Sequence, residues 1–188
     1  MNIHYALSLV PNLITLARIL AVPVTIYVIL EGYFAAAFWI FVTAAASDAL
    51  DGYLAKRLDA VSEIGAYLDP LADKALLVGT YVALAQVDRI AIWLVFLIVF
   101  RDLLIIGGAL LFHTITQSLK MTPLFISKVN TVAQLALASV VLAELGLDLH
   151  LTFLSGGLVY IVVLTTFVSG VAYVYKWGAM AVLMERDQ

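Results

Sequence analysis

Six long apolar runs, each about as long as a bilayer is thick, constrain this chain more than any other feature. A membrane-spanning helix needs roughly 20 predominantly apolar residues. The runs cover approximately residues 11–31, 34–55, 65–87, 91–113, 124–146 and 152–176. The segments between them are short. The pattern predicts an all-α integral membrane protein of six transmembrane helices, with a single domain over residues 1–188 and an interfacial helix over residues 1–10.

The composition agrees with this class and excludes others. Hydrophobic residues make up 64% of the 188 residues and charged residues 12%, whereas a soluble domain is about half apolar and a quarter charged. A soluble enzyme is therefore excluded, and a net charge of −3 argues against a nucleic-acid partner. The chain has no cysteine, which excludes disulfides and thiolate-bound metals.

The distribution of basic residues predicts the orientation in the membrane. An even number of spans places both termini on one side. The segments on that side contain Lys56, Arg57, Lys120, Lys176 and Arg186, whereas the opposite loops contain only Arg89. Because cytoplasmic loops are enriched in lysine and arginine, both termini are predicted to be cytoplasmic.

Four aspartates fall within or at the ends of apolar spans, where a charge costs several kcal/mol unless it lines a polar cavity. Asp48 and Asp51 are three residues apart at the end of the second span, and Asp69 and Asp73 are four apart at the start of the third. Each pair shares one helix face. In antiparallel spans the pairs meet, which predicts a polar active-site cavity on the cytoplasmic side.

Four crowded carboxylates require cations to neutralise them. Oxygen ligands without cysteine or clustered histidine suit hard divalent ions such as Mg²⁺ or Mn²⁺. Two such ions a few Å apart would clamp a phosphoryl group during its displacement. The pattern therefore predicts a two-metal site for phosphoryl transfer.

The same stretch has the pattern Asp48-x2-Asp51-Gly52-x2-Ala55-Lys56-x8-Gly65-x3-Asp69-x3-Asp73. It resembles the motif of the CDP-alcohol phosphatidyltransferase family, and seven of its eight defined positions match. The departure is Lys56, where the family has arginine; lysine keeps the charge but lacks the bidentate guanidinium.

Shorter stretches resemble two branches of this family. The segment 11–18 is similar to the opening of phosphatidylglycerophosphate synthases and cardiolipin synthases, and both branches share the segment 68–74. The resemblance to the mitochondrial-type cardiolipin synthases lies in Arg101-Asp102, Leu119-Lys120, the segment 125–131 and Gln134. This resemblance favours transfer of a phosphatidyl group from CDP-diacylglycerol to phosphatidylglycerol, which gives cardiolipin and CMP. The alternative acceptor is glycerol 3-phosphate.

The resemblance also implies roles for residues of this chain. Asp48, Asp51, Asp69 and Asp73 would bind the metal ions, and Asp73 would be the general base. The residues implied to bind the nucleotide are Asn12, Thr15, Arg18, Asp51, Gly52, Ala55, Lys56 and Gly65. A homodimer in the lipid bilayer is expected from the family alone.

Arg101 and Lys128 are intramembrane cations to which the motif assigns no partner. We expect them to bind the phosphate of the acceptor; the alternative is that they pair with the aspartate cluster. Asp102 is not expected to pair with Arg101, because adjacent residues point in different directions on a helix.

A cation transporter is a more distant alternative, because transporters also use intramembrane aspartates. It would need polar residues through the full depth of the bilayer. Here the aspartates lie near one side, and beyond Gln134 the last two spans contain almost no ionisable residue before Lys176.

Overall fold

The computed structural model contains six α-helices in the order that the apolar runs predict. It describes the backbone of residues 3–58, 63–116 and 124–186, and the side chains of residues 15–47, 71–111, 114 and 124–178. The helices are α1 (Ile3–Leu30), α2 (Phe34–Leu58), α3 (Glu63–Gln86), α4 (Ile92–Thr116), α5 (Phe125–Gly146) and α6 (Thr152–Arg186). The all-helical fold is thus confirmed.

The chain divides into two compact units. The first contains Met1–Ala91 and Ala138–Thr152, and the second contains Ile92–Leu137 and Phe153–Gln188. The division falls inside α5, whose first part belongs to the second unit and whose last part belongs to the first. The single domain over residues 1–188 stays a prediction.

In the first unit, α1 packs against α2 and α3. Ile29 of α1, Phe41 of α2 and Tyr81 of α3 are fully buried. Gly79 of α3 lies against α1, since a Cβ added there would come within 3.0 Å of the Ile26 side chain. The missing side chain therefore lets α1 and α3 approach closely, as helices in membranes commonly do.

The turns of the first unit end its helices through backbone hydrogen bonds. After α1, Gly32 has a φ of 80°, and the Tyr33 and Gly32 amides donate to the Val28 and Ile29 carbonyls at 3.0 Å or less. Asp88 occupies the same position after α3, with a φ of 58°. These paired bonds satisfy carbonyls that a helix end would otherwise leave without partners.

In the second unit, a glycine of α4 lies against a large side chain of α6. A Cβ added to Gly108 of α4 would come within 2.1 Å of the Trp177 ring of α6. Tyr173 packs beside that ring, with centroids 5.5 Å apart. Gly108 therefore makes room on α4 for the largest side chain of α6.

Three helical segments of the described residues are long and apolar enough to cross a membrane. They are Ile92–Leu111, Phe125–Gly146 and Thr152–Gly178, and Thr15–Leu30 and Phe34–Ser47 are shorter apolar segments. Large apolar side chains face outward on these helices; Phe153, for example, is 98% exposed. Both observations are those expected of a membrane protein. That all six helices cross the membrane stays a prediction.

Two helix ends differ from the predicted ones by more than three residues. Residues 3–10, predicted as a separate interfacial helix, are continuous with the rest of α1, and α6 extends ten residues beyond the predicted end at residue 176. Residues 177–186 include several good helix formers, among them Ala179, Ala181 and Leu183. The helices α1 and α6 are therefore longer than the apolar runs that predict them.

Candidate active site

The ion pair between Arg18 of α1 and Asp73 of α3 is the main polar contact described in the first unit. Arg18 Nη1 lies 2.9 Å from Asp73 Oδ1, and the side chains are 3% and 37% exposed. A buried guanidinium needs a charged or hydrogen-bonding partner. Asp73 supplies one while keeping about a third of its surface accessible, as a carboxylate that reacts or binds metal requires.

Close packing of α1 on α3 brings this pair together. Asp73 lies six residues before Gly79, the position at which the two helices approach closely. Thr15, one turn before Arg18 on α1, is also buried at 4% exposure. Thr15 and Arg18, both implied as nucleotide ligands, thus occupy the part of α1 that packs beside Asp73.

A cavity of about 210 Å³ lies beside Arg18 between α1 and α2. Its lining residues are Ala17, Arg18, Ala21, Ile40, Thr43, Ala44 and Ser47. The Thr43 and Ser47 hydroxyls donate to carbonyls of their own helix, at 2.6 Å to Trp39 and 2.7 Å to Thr43. The cavity thus combines small side chains, two hydroxyls and one cation.

The motif continues from the α2 side of this cavity. Asp48 and Asp51 follow Ala44 and Ser47 by four residues each on the same continuous helix, and residues four apart share a helix face. On α3, Asp69 precedes Asp73 by the same interval. The helical register therefore places both aspartate pairs on faces that also carry described site residues.

Most other predicted site residues have side chains outside the described part of the structure. Their backbones lie on α1, α2 and α3. These residues are Asn12, Asp48, Asp51, Gly52, Ala55, Lys56, Gly65 and Asp69. Their predicted roles stay predictions, as do those of Thr15, Arg18 and Asp73.

The chemistry of the donor set fits a hard divalent cation. The four motif aspartates offer oxygen atoms alone, and the one whose side chain is described, Asp73, is partly accessible and already beside a cation. Among the side chains that the structure describes, no three histidine, aspartate or glutamate residues form a cluster, and those of Asp48, Asp51 and Asp69 lie outside that set. Carboxylate oxygens are the ligands that Mg²⁺ and Mn²⁺ prefer.

In the second unit, the guanidinium of Arg101 is buried and bonded to side chains of three helices. Arg101 is 4% exposed. Its Nη1 donates to Asp102 Oδ1 at 2.8 Å and its Nη2 to Ser127 Oγ at 2.7 Å. Nη2 also donates to Ser169 Oγ, which accepts from Nε at 3.2 Å as well.

These contacts correct one expectation from the sequence. Asp102 was not expected to pair with Arg101, but the two form a buried ion pair at 2.8 Å. Helical spacing fixes where the Cβ atoms point, whereas the long arginine side chain can turn back toward its neighbour. Lys128, the other predicted phosphate ligand, is exposed on the first turn of α5.

The sequence also missed the serines that hold Arg101. Ser127 lies in the stretch that resembles the cardiolipin synthases but has no role implied there, and Ser169 lies outside the motifs. The available signal was a pair of hydroxyl-bearing residues in spans that also had to accommodate an arginine, since such residues satisfy buried cations in membranes. Their contacts with Arg101 arise from the packing of α5 and α6 beside α4.

Comparison with known proteins identifies the family. The sequence model described as CDP-alcohol phosphatidyltransferase matches residues 8–181. The chain is 37% identical over 191 residues to the chloroplastic CDP-diacylglycerol–glycerol-3-phosphate 3-phosphatidyltransferase 1 of Oryza sativa subsp. japonica, covering 89% of this chain and 56% of that protein. The chain therefore belongs to the CDP-alcohol phosphatidyltransferase family.

Relatives of two activities occur at similar identity. The chain is 36% identical over 150 residues to the CMP-forming cardiolipin synthase of Rattus norvegicus, covering 71% of this chain and 50% of that protein. It is 30% identical over 187 residues to the CDP-diacylglycerol–glycerol-3-phosphate 3-phosphatidyltransferase of Bacillus subtilis, covering 90% and 96%. The chain spans about half the length of the rice and rat relatives.

Proposed function

We propose that this protein transfers the phosphatidyl group of CDP-diacylglycerol to a hydroxyl group of phosphatidylglycerol, giving cardiolipin and CMP. The observation that carries the proposal is the buried Arg18 beside the accessible Asp73 carboxylate, at the last position of the family motif. Phosphoryl transfer needs this combination of a cation that neutralises charge and a carboxylate that accepts a proton.

The chemistry follows from the residues implied at the site. The acceptor hydroxyl gives its proton to Asp73 as its oxygen forms a bond to the phosphatidyl phosphorus, and the bond from that phosphorus to the CMP oxygen breaks. Two Mg²⁺ or Mn²⁺ ions, held by Asp48, Asp51, Asp69 and Asp73, would neutralise the pyrophosphate and stabilise the leaving CMP. Arg18 adds a fixed positive charge.

The remaining predicted contacts concern the nucleotide. Thr15 and Arg18 contribute from α1, together with Asn12 one turn earlier. Gly52, Ala55, Lys56 and Gly65 contribute from α2 and α3, with Asp51 shared between metal and nucleotide. The cavity beside Arg18 supports this assignment. Ala44 and Ser47 line it, and Asp48 and Asp51 each lie four residues after one of them on α2.

An apolar groove on the second unit supports a lipid as the acceptor. The groove has a volume of about 520 Å³, and α4 and α6 line it with apolar side chains apart from Arg101, Thr166 and Tyr175. Phe100, Phe167 and Tyr175 on its walls are each more than 60% exposed. A groove of this kind, open to the surroundings within two candidate membrane spans, suits an acyl chain better than a free headgroup.

Glycerol 3-phosphate remains the second candidate acceptor. The rice and B. subtilis relatives are named for it and are as similar to this chain as the cardiolipin synthase is. Both acceptors carry a phosphate group. Of the two predicted phosphate ligands, Lys128 is exposed, whereas Arg101 is bonded to protein groups. We therefore assign direct phosphate binding to Lys128 in preference to Arg101.

An acceptor comparison tests the proposal. Purified full-length protein in detergent would receive CDP-diacylglycerol, Mg²⁺ or Mn²⁺, and either phosphatidylglycerol or glycerol 3-phosphate, with CMP and the lipid product measured. The proposal expects cardiolipin with phosphatidylglycerol and loss of CMP release when EDTA removes the metal. Product from glycerol 3-phosphate alone would identify the second candidate, and CMP release that resists EDTA would contradict the metal role.

The same proposal includes an assembly and an orientation. We expect a homodimer in the bilayer, with the active site and both termini on the cytoplasmic side. The basic residues of the predicted cytoplasmic segments support the orientation. Light scattering of the protein in detergent, corrected for bound detergent, measures the assembly; a mass of one chain would contradict the dimer.

A further inference from the structure

We propose that Arg101 is a positioning residue: through Ser127 it fixes the first turn of α5 and so sets the direction in which Lys128 presents its ammonium group to the acceptor phosphate. This inference rests on the proposed function, which gives the acceptor a phosphate at Lys128. It replaces the expectation that Arg101 itself binds that phosphate.

The hydrogen bonds of the guanidinium are directed at protein groups. Nε, Nη1 and Nη2 each donate to a side-chain oxygen, from Asp102, Ser127 or Ser169. Arg101 is also 4% exposed. A phosphate ligand would have to break charge-assisted bonds to reach the guanidinium, and such bonds are about twice as strong as neutral ones.

The bonds join three helices at one point. Arg101 lies near the middle of the candidate span Ile92–Leu111, Ser169 lies on α6, and Ser127 lies in the first turn of α5. Inside a membrane, water cannot compete for these groups, and an unsatisfied cation is costly. The arrangement therefore holds the start of α5 against both α4 and α6.

A second contact fixes the same turn from α6. The Leu124 amide, just before α5, donates to the Tyr173 hydroxyl at 3.2 Å, and Tyr173 is 5% exposed. Lys128 directly follows Ser127 and has an exposed side chain. The first turn of α5 is thus held on two sides while its cation stays accessible, which is the geometry of a preorganised anion ligand.

A double-mutant cycle on acceptor binding tests this inference. The dissociation constants of glycerol 3-phosphate and of phosphatidylglycerol would be measured by calorimetry on the full chain in detergent, without donor. For the acceptor that binds, Ser127→Ala is expected to weaken binding about five-fold, and Lys128→Gln about ten-fold. The double variant should be no weaker than Lys128→Gln alone, because Ser127 acts through Lys128.

Two further variants make the test specific. Tyr173→Phe removes the second contact and should weaken binding in the same way, again without adding to Lys128→Gln. Ser139→Ala, twelve residues further along α5, is the matched control and should leave binding unchanged. The melting temperatures of all variants, measured alongside, identify any loss that follows from unfolding.

Several outcomes would overturn the inference. Multiplied losses in the double variant, about fifty-fold in total, would show that Ser127 and Lys128 act independently. Unchanged binding in Ser127→Ala, or a wild type that binds neither acceptor, would also contradict it. A protein that binds the acceptor as described but releases no CMP would contradict the proposed function and would still support this inference.

Discussion

Arg18 and Asp73 show how one contact can serve both stability and chemistry. Leaving either partner of a fully buried pair alone costs about 3–5 kcal/mol. Here Asp73 is 37% exposed, so water can hydrate it when Arg18 is lost, and the cost falls toward the range of surface pairs. The pair therefore contributes more to the electrostatics of the site than to the free energy of unfolding.

Replacing Arg18 separates these two contributions. Arg18→Met keeps much of the side-chain volume and removes the charge. We expect kcat/KM for CDP-diacylglycerol to fall at least about ten-fold, since a fixed cation near the transferring phosphate is lost. The melting temperature should change by only a few degrees. CMP release and thermal unfolding measure the two effects.

A matched control is available in the turn between α3 and α4. Arg89 is exposed there, and Arg89→Met should leave both quantities unchanged. Arg18→Lys should recover part of the activity, because it restores the charge without the planar guanidinium. Wild-type kinetics in Arg18→Met would show that this cation does not contribute to the reaction.

Some residue contacts could be inferred from sequence and others could not. Spacing on one helix predicts that Asp69 and Asp73 share a face, because it depends only on helical geometry. The pairing of Arg18 with Asp73 depends on how α1 meets α3. The bonds from Arg101 to Ser127 and Ser169 depend on α4, α5 and α6 together. Such contacts require the tertiary structure.

At the scale of elements, the apolar runs predict all six helices because hydrophobic length is set by the bilayer. The start of α2 and the end of α5 agree with prediction to within a residue. Gly32 follows the end of α1 with a φ of 80°, so turn chemistry marks this boundary clearly. The far end of α6 has no such signal, and the helix continues past its apolar run.

Gly146 also fixes how α5 meets α2 in the first unit. A Cβ at this position would come within 2.5 Å of the Ala35 backbone nitrogen, and backbone cannot move aside cheaply. Gly146→Ala should therefore destabilise the protein by about 1–3 kcal/mol, which lowers the melting temperature by several degrees. Thermal unfolding in detergent measures this shift.

The comparison for this variant is Gly156→Ala on α6. No atom lies within 4 Å of a Cβ added to Gly156, and alanine favours a helix over glycine by about 1 kcal/mol. That variant should be neutral or slightly stabilised. Equal melting temperatures for the Gly146 and Gly156 variants would contradict the close approach of α5 and α2.

At the scale of the whole molecule, the exposed apolar surface indicates that lipid is the solvent of much of the chain. Phe96, Phe100, Leu110 and Tyr160 are all more than 60% exposed. Exposure of so many large apolar side chains to water is unfavourable. The family and the three long apolar helices also indicate a membrane protein. Six spans with cytoplasmic termini stay a prediction.

The absence of cysteine makes the orientation directly measurable. Single cysteines at Arg89 and His150, in the predicted external loops, should react with a membrane-impermeant maleimide in intact cells. Cysteines at Lys120 and Asp187, in predicted cytoplasmic segments, should react only after the membrane is opened. Labelling of all four in intact cells, or of none of the external pair, would contradict six spans with cytoplasmic termini.

CMP release from Asp73→Asn beside wild type tests whether Asp73 accepts the proton of the acceptor hydroxyl at a phosphatidyl-transfer site. We expect wild type to release CMP from CDP-diacylglycerol in the presence of Mn²⁺ and phosphatidylglycerol. Asp73→Asn should lose at least about a hundred-fold in rate. Asp88→Asn, at an exposed turn whose left-handed backbone asparagine tolerates, should retain full activity. Wild-type rates in Asp73→Asn, or no CMP from wild type with either acceptor, would contradict the account.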